Sequence, residues 1–426
     1  MKTKDPRPIV AVIGAGATGA VTAWDLSQER DADGNFRYQV ILIEKATPGN
    51  GSSQRSAACI RAQFTTEATV RGMRFACRYY DEFQEVHGLK ETVYRKVGYL
   101  YPYANLDKFA DAGGNNTRQR VWGLNNAQVL VGRELHQQFP FLAEKIIGAT
   151  WCDTDGFLIP DLIYLTLVRR LREDADNATV MTNTQVVGAR HKNDVITHLV
   201  VEDPRDPGKQ KSDLAVDIIV DATNAWSPRL SELMGVPALP IEPHKRVLYF
   251  VKPKNVNVSC WPMVVTEKGA YCRPEGTDKF LMSWLKEVDP DHHFTDKCQD
   301  IIPPGFAGHD IDGHFVTVWE ELSRWIPAIG EDNFVPTKPQ ETAGYYAMTP
   351  DANPIIDISQ GTKNLIHAVG FSGHGLMHAP FSSKIVAHIV RQLMGEDVTF
   401  RLDGVDIDIS SFKIDRDFSQ VEKAVI

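Results

Sequence analysis

Apolar and polar residues follow two rhythms along this chain, and each change of rhythm marks an element. Ile9, Val10, Ala11, Val12 and Ile13 form an unbroken apolar run, the pattern of a strand covered on both faces. A turn of small residues follows, Gly14-Ala15-Gly16-Ala17-Thr18-Gly19, and then Ala20, Val21, Ala23, Trp24 and Leu26 recur at helical spacing. After a polar loop at 30–37, a second apolar run at 39–43 ends in Glu44. Residues 46–64 are too polar for core and too long for a turn, which suits a loop lining a ligand. Val70, Met73, Ala76, Tyr79, Tyr80 and Phe83 predict the buried face of a helix over 66–87.

The pattern turns strand-like at 92–100, and up to about 147 it reads as helix and loop, with Ala112-Gly113-Gly114-Asn115 as a turn cluster. Pro160 opens a helix over 161–172, whose Arg169, Arg170 and Arg172 suit the negative end of its dipole. Runs at 179–187 and 195–201 read as paired strands, leading to a second buried strand at 216–220 and the small-residue turn Asp221-Ala222-Thr223-Asn224-Ala225-Trp226-Ser227. From about 239 to 343 strand-like runs (246–251, 263–266, 280–284) dominate, with one helix at 315–325, and predict an antiparallel sheet. A strand at 365–369, a glycine-rich turn at 370–377 that mirrors the first, and a helix to about 394 complete the pattern. The tail after 398 carries no legible signal.

The length of 426 residues accommodates two ordinary domains. A net charge of −9 spread without a basic block speaks against nucleic acid or an anionic membrane as partner. The polar start and the lack of a membrane-length apolar run lead us to expect a cytoplasmic protein. Six cysteines (59, 77, 152, 260, 272, 298) lie scattered with no C-x-x-C pair, so reduced thiols are expected rather than disulfides or zinc. The pairs His292-His293 and His374-His378 have no cysteine or carboxylate to complete a metal site, and no metal is expected. Oligomeric state is not legible.

The first turn has the spacing of a dinucleotide site. Gly14 permits the turn, Gly16 lets backbone approach a pyrophosphate, and Gly19 lets the helix pack on the strand, while Ala17 and Thr18 stand at the helix N-terminus with its free N–H groups. Glu44 ends the second strand, where an acidic group binds ribose hydroxyls. It lies farther from the glycines than the usual roughly 20 residues, an excess we assign to the loop Asp31-Ala32-Asp33-Gly34-Asn35-Phe36. Whether the cofactor is NAD or FAD is open at this point.

Three separated stretches, VIGAGATGA with Glu44, GSSQRSAACIR, and YAMTPDANPIID followed by AVGFSGHGLMHAP, resemble the D-amino-acid oxidase superfamily of flavoproteins, in its sarcosine oxidase and glycine oxidase branch. DATNAWSPRL resembles a fourth. The resemblance implies FAD rather than NAD and an α/β fold, α+β overall. A Rossmann-type FAD-binding domain of the glutathione-reductase kind would come from 1–90, 150–235 and 344–398. A substrate domain would come from 91–149 and 236–343, with 399–426 as a tail. It implies that Gly14, Gly16, Gly19, Glu44 and Lys45 hold the ADP portion. Ser52, Ser53, Arg55, Ser56 and Ala57 would lie near phosphates and flavin, Val187 near adenine, and Ala222, Thr223 and Trp226 on the second small-residue turn. Gly373, His374, Gly375, Leu376 and Met377 would approach the pyrimidine side of the ring.

Such enzymes pass hydride from the carbon next to nitrogen to the flavin, leaving an imine that water hydrolyses to an amine and an oxo acid, with O2 reduced to hydrogen peroxide. The protein binds and orients. Arg61 falls at the family's carboxylate-binding arginine, and a salt bridge within the core is its structural alternative. Tyr271 and Tyr346 fall where tyrosines surround the substrate, although each could equally be a packed ring. Trp284 and His244 are weaker candidates of the same kind. Met377 and Met282 stand where sarcosine oxidase has lysines, leaving Lys286 as the nearest replacement for the oxygen-activating one. Gly344 and Arg55 fall near the family's covalent flavin attachments, so noncovalent FAD is expected. Arg61, Arg273 and Lys286 together suggest a dicarboxylic secondary amine such as iminodiacetate. An FAD-dependent dehydrogenase serving a quinone or carrier, and a flavin-bearing assembly factor, are the alternatives.

Overall fold

The structure is a computed structural model and describes residues 7–254, 256–284, 314–330 and 340–422. The first strand, Ile9–Ile13, sits centrally in a six-stranded sheet. Its neighbours are Gln39–Ile43 on one side and Ile218–Asp221 on the other, all parallel. Ala178–Met181 extends one edge, and Leu365–Val369 followed by antiparallel Ile355–Ile358 extends the other. Helices Ala17–Gln28, Pro160–Glu173 and Gly375–Leu393 pack together on one face of this sheet, and Val186, Ile196, Leu199, Val201, Leu230 and Met234 cover the other, which explains why its strands read as unbroken apolar runs. The chain reverses its crossovers beside the first strand, and the C-terminal ends of Ile9–Ile13, Gln39–Ile43 and Ile218–Asp221 open onto one crevice.

A second sheet has eight strands in the order Gln340–Met348, Glu242–Val251, Lys279–Trp284, Ala270–Glu275, Met263–Val265, Tyr99–Tyr103, Gly148–Cys152, Ala127–Val131. All neighbours are antiparallel except Met263–Val265 with Tyr99–Tyr103. Positions 150 and 344 lie inside strands of this sheet. One face carries Val247, Tyr249, Phe280 and Met282 against the helix Val316–Trp325. The opposite face presents Leu248, Leu281, Tyr271 and Val265 to the crevice side.

Several elements differ from the sequence reading. The run at 179–187 is two strands, Ala178–Met181 and Gln185–Lys192, broken where Asn183 takes φ +52°, and the second belongs to a three-stranded meander with Val195–Glu202 and Lys211–Ala215. Residues 92–100 divide into Tyr94–Arg95 and Tyr99–Tyr103 at Gly98, where φ is +80° and a Cβ would strike the Trp151 ring. Gly113 and Gly114 stand inside a helix, Leu106–Val121, rather than in a turn. Asn105 caps that helix by accepting from Lys108 N, and buried Ala112, Asn116 and Gln119 hold it down, offsetting about 1 kcal/mol lost per glycine. The tail is packed: Phe400, Leu402, Ile407 and Phe412 are buried. Arg416 makes a two-pronged pair with Asp351, at 2.6 and 2.8 Å.

Candidate active site

The crevice is a cleft of about 1500 Å³ of atom-free space, its mouth to solvent included. Its first wall is the glycine turn. Gly14 adopts φ +100° and a Cβ there would come 2.9 Å from the Ala222 carbonyl, so glycine is required on both counts. Gly16, Ala17 and Thr18 line the cleft, and Ala17 N donates to Ser53 Oγ at 3.0 Å. Gly19 does not line it. Its Cα packs against the turn, where a Cβ would fall 1.8 Å from Gly14 O.

Glu44 closes this end. Its carboxylate accepts from Ala15 N at 2.8 Å and Ala46 N at 2.9 Å, leaving lone pairs for further donors. Burial pushes its carboxyl up, while those backbone donors and Lys45 act the other way. Lys45 lines the cleft beside Trp226. Thr184, Gln185 and Val186 form the adjoining wall. Val187 stands one residue further, at an irregularity in the strand pairing, and does not line the cleft.

Ser52, Ser53, Arg55, Ser56 and Ala57 run along the middle of the cleft. Ser52 Oγ donates to the Tyr345 carbonyl at 2.8 Å, tying this loop to the eight-stranded sheet. Arg55 donates to the Asn50 and Gly51 carbonyls. Ala222, Thr223 and Trp226 face them. Buried Asp221 fixes this second turn: it accepts from Thr223 N, Thr223 Oγ1 and Ser227 Oγ and lies 3.0 Å from His367 Nδ1. Asn224, at φ +52°, accepts from Gly370 N and Phe371 N, joining this turn to the glycine-rich one at the far end.

That far end holds Gly373, Gly375, Leu376, Phe371, Tyr346, Arg246 and Leu248. A Cβ on Gly373 would meet the Tyr346 ring at 2.3 Å. His374 turns the other way, toward Arg61, with Nε2 3.5 Å from Arg61 Nη2. Burial, with Arg61 and His378 beside it, holds the His374 imidazole well below its usual range, so it is neutral. Met377 is core and does not reach the cleft.

The remaining candidates separate clearly. Arg61 is 1% exposed and does not line the cleft; its guanidinium lies over the Phe64 ring at 4.3 Å, with Glu422 and Asp155 among its electrostatic partners. Tyr271 is buried next to Tyr346, and their hydroxyls act on each other and on Arg246. His244 is half-buried on the same strand face as Arg246, its Nδ1 3.5 Å from Arg246 Nη2. Trp284 faces away: strand alternation puts it with Phe280 and Met282 on the helix side, and its Nε1 donates to the Lys268 carbonyl. Met282 is on that far side too. Arg273 is spent on the Ala57 and Pro274 carbonyls and on Glu275. Lys286 and the pair His292-His293 lie outside the described residues. Among the described residues no three His, Cys, Asp or Glu side chains cluster to hold a metal, and no helix is long and apolar enough to cross a membrane.

Arg246, Leu248, Gln185, Val186, Asn224 and Arg229 line the cleft without having been singled out from sequence. The first two had a signal: His244, Arg246 and Leu248 alternate with the apolar Val247, Tyr249 and Val251 on one strand.

Asp155 braces the loop that carries Arg61. It accepts from Ala62 N at 2.9 Å and Gln63 Nε2 at 3.0 Å. Burial pushes its carboxyl up to about 6, against those donors, Arg61 and Cys152. A carboxyl raised on folding gives stability that is present below its unfolded pKa and lost as pH rises through the folded one, here between about 4 and 6. That loss is about 3 kcal/mol. Asp155→Asn should therefore gain on the wild type as pH rises from 4.5 to 7.5, read from paired urea titrations. A difference between the two proteins that does not change with pH would contradict it.

The family model for FAD-dependent oxidoreductases of the DAO type matches residues 10–389. The chain belongs to this family. FAD-dependent oxidoreductase domain-containing protein 1 of Xenopus laevis is 25% identical over 450 residues, covering 97% of this chain and 83% of that protein. Monomeric sarcosine oxidase of Bacillus sp. (strain NS-129) is 26% identical over 96% of each chain. Among solved structures, L-proline dehydrogenase from P. horikoshii matches with a TM-score of 0.75 and 25% identity, over 91% of this chain and 94% of that one.

This DAO-type chain is an FAD-dependent oxidoreductase, and the cleft fits its cofactor. The helix start at Gly16, Ala17 and Thr18 suits a pyrophosphate, and Glu44 suits a ribose diol. The side chain missing at Gly373 lets the Tyr346 ring close onto the glycine-rich turn, and both line the cleft.

Proposed function

We propose that this protein oxidises a secondary or N-substituted amino acid at its α-carbon, next to nitrogen, giving an imine that hydrolyses to an amine and an oxo acid. Bound FAD supplies the hydride-accepting chemistry. The chain's own residues bind the donor, orient it and keep water out. The observation that carries this reading is the far end of the cleft, where Arg246, Tyr346 and Leu248 form a wall beside Gly373 and Gly375. A cation, a hydroxyl and an apolar surface suit a carboxylate, an amine-bearing centre and its alkyl group. His374 and His378 are held neutral by burial, and Tyr271 and Tyr346 are held protonated, so positioning rather than acid or base work is what these groups supply.

Similarity to monomeric sarcosine oxidase supports a donor of this class and O2 as acceptor, with hydrogen peroxide as product. A donor with a single carboxylate is favoured over iminodiacetate, because Arg273 is already committed within the protein. A dehydrogenase reading has its own support. L-proline dehydrogenase is a structural match, and among the described cleft-lining residues the lysine is Lys45, at the Glu44 end rather than the Tyr346 end. The test incubates the yellow holoprotein in air with N-methyl amino acids, proline, glycine and iminodiacetate, and measures oxo acid and peroxide together. Equal yields identify the oxidase. Oxo acid that appears only with an added quinone or dye identifies the dehydrogenase, and no oxo acid from any donor rejects the proposal.

A further inference from the structure

Resting on that reading and deepening it, we propose that Arg246, not Arg61, anchors the donor's carboxylate. Arg246 lines the far end of the cleft and is 8% exposed. Its Nη1 donates to the Lys245 carbonyl at 3.0 Å and its Nη2 lies 3.5 Å from His244 Nδ1, while its buried Nε has no acceptor. A guanidinium has five N–H donors in a fixed fork, so this one keeps unmet capacity facing the cleft.

Charge sharpens the contrast between the two arginines. Among the described residues no carboxylate lies within ion-pair distance of Arg246. Its neighbours are His244, Tyr346 and Tyr271, and burial opposes its charge more than these support it. His244 faces it from the same strand and is itself pushed toward the neutral form by burial and by Arg246, with Glu242 acting the other way. Arg61 is placed differently. Asp155 holds the adjacent backbone, Glu422 grips Thr65 through its N–H and hydroxyl, and both carboxylates act on the Arg61 guanidinium. A buried cation whose charge is already supported, here by Tyr101 and Tyr99 and then by the two acids, gains less from a further anion. A buried cation without an acid partner is costly until an anion arrives.

The surroundings of Arg246 are shaped for that anion. Its guanidinium lies 5.5 Å from the Tyr346 ring centroid. Directly across the strand pair is Gly344, which carries no side chain of its own beside Arg246 and against which Arg55 packs, 3.1 Å from where a Cβ would stand. The Tyr271 and Tyr346 hydroxyls stand close enough to act on Arg246 and offer further donors. Arg61 then serves as a pillar behind the site, holding His374 against the glycine-rich turn.

The test uses the purified holoprotein and two carboxylate probes, acetate and benzoate, with benzamide as the uncharged control. Binding is read from the perturbation of the flavin absorption bands. We expect at least one carboxylate, and not benzamide, to perturb the wild-type spectrum. Arg246→Met should bind that probe about 30-fold or more weakly, and Arg246→Lys should fall between, both with wild-type flavin content. An Arg246→Met protein that binds the probe as the wild type does, or a wild type that binds neither probe, overturns the proposal. So does loss of flavin from Arg246→Met, which would assign the guanidinium to the cofactor. Arg246-dependent benzoate binding in a protein that oxidises no amino acid would leave this anchor standing and remove only the proposed reaction.

Discussion

Gly19→Ala should yield a colourless protein, with flavin content at least tenfold below wild type. The added Cβ would lie 1.8 Å from Gly14 O and 3.0 Å from the Gly14 carbonyl carbon, distances that no rotamer relieves because Cβ has none. Gly14 cannot yield. Its N–H is held by Ile43 O at 2.7 Å, and on its other side the Ala222 carbonyl leaves no slack. Helix Ala17–Gln28 must therefore lift from the strand it follows, carrying Gly16, Ala17 and Thr18 away from the phosphate position. Gly114→Ala serves as the control. That glycine is in mid-helix with nothing within 4 Å of its would-be Cβ, and the substitution should stabilise the helix by about 1 kcal/mol without changing colour. Absorbance ratios of the purified variants decide the matter, and a fully yellow Gly19→Ala protein would refute it.

Arg416→Met should cost about 3–5 kcal/mol of stability, the penalty for leaving one partner of a buried ion pair uncompensated. Arg416 and Asp351 are 5% and 1% exposed at their side chains, and the guanidinium also donates to the Asn353 carbonyl at 2.7 Å. The backbone repeats the clamp: Glu422 N donates to the Asp351 carbonyl at 2.9 Å. Removing the arginine strands the carboxylate of Asp351 and frees the segment that delivers Glu422 to Thr65. The double variant Asp351→Asn with Arg416→Met should recover part of the loss, since no unpaired charge is then buried. Chemical denaturation of the three proteins reads both effects. An unmoved midpoint for Arg416→Met would show that the tail is not clamped in solution.

The same two regions show what a sequence reveals and what it withholds. The turn Gly14 to Gly19 was legible because its requirements are local: a positive φ, a close approach and a helix start all fall within one short stretch. Glu44 was legible for the same reason, once the second apolar run had been recognised. Arg246 was legible only as one position in an alternating strand, because its meaning depends on pairing with Gly344 and on the ring of Tyr346, which the chain supplies about 100 residues later. Gly113 and Gly114 read as a turn because local propensity disfavours them in a helix, and packing of Ala112, Asn116 and Gln119 overrides it. Trp284 was misplaced by the face of one strand, a parity that sequence alone leaves ambiguous. Arg61 was located correctly within its loop, yet its burial against Asp155 and Glu422 appears only when the tail is folded back.

The most direct test of the account is an anaerobic titration of the holoprotein with an N-methyl amino acid and, separately, with the matching N-methyl amine that lacks the carboxylate. The account predicts that the amino acid bleaches the flavin bands while the amine leaves them unchanged. Bleaching by both alike, or by neither, would contradict it.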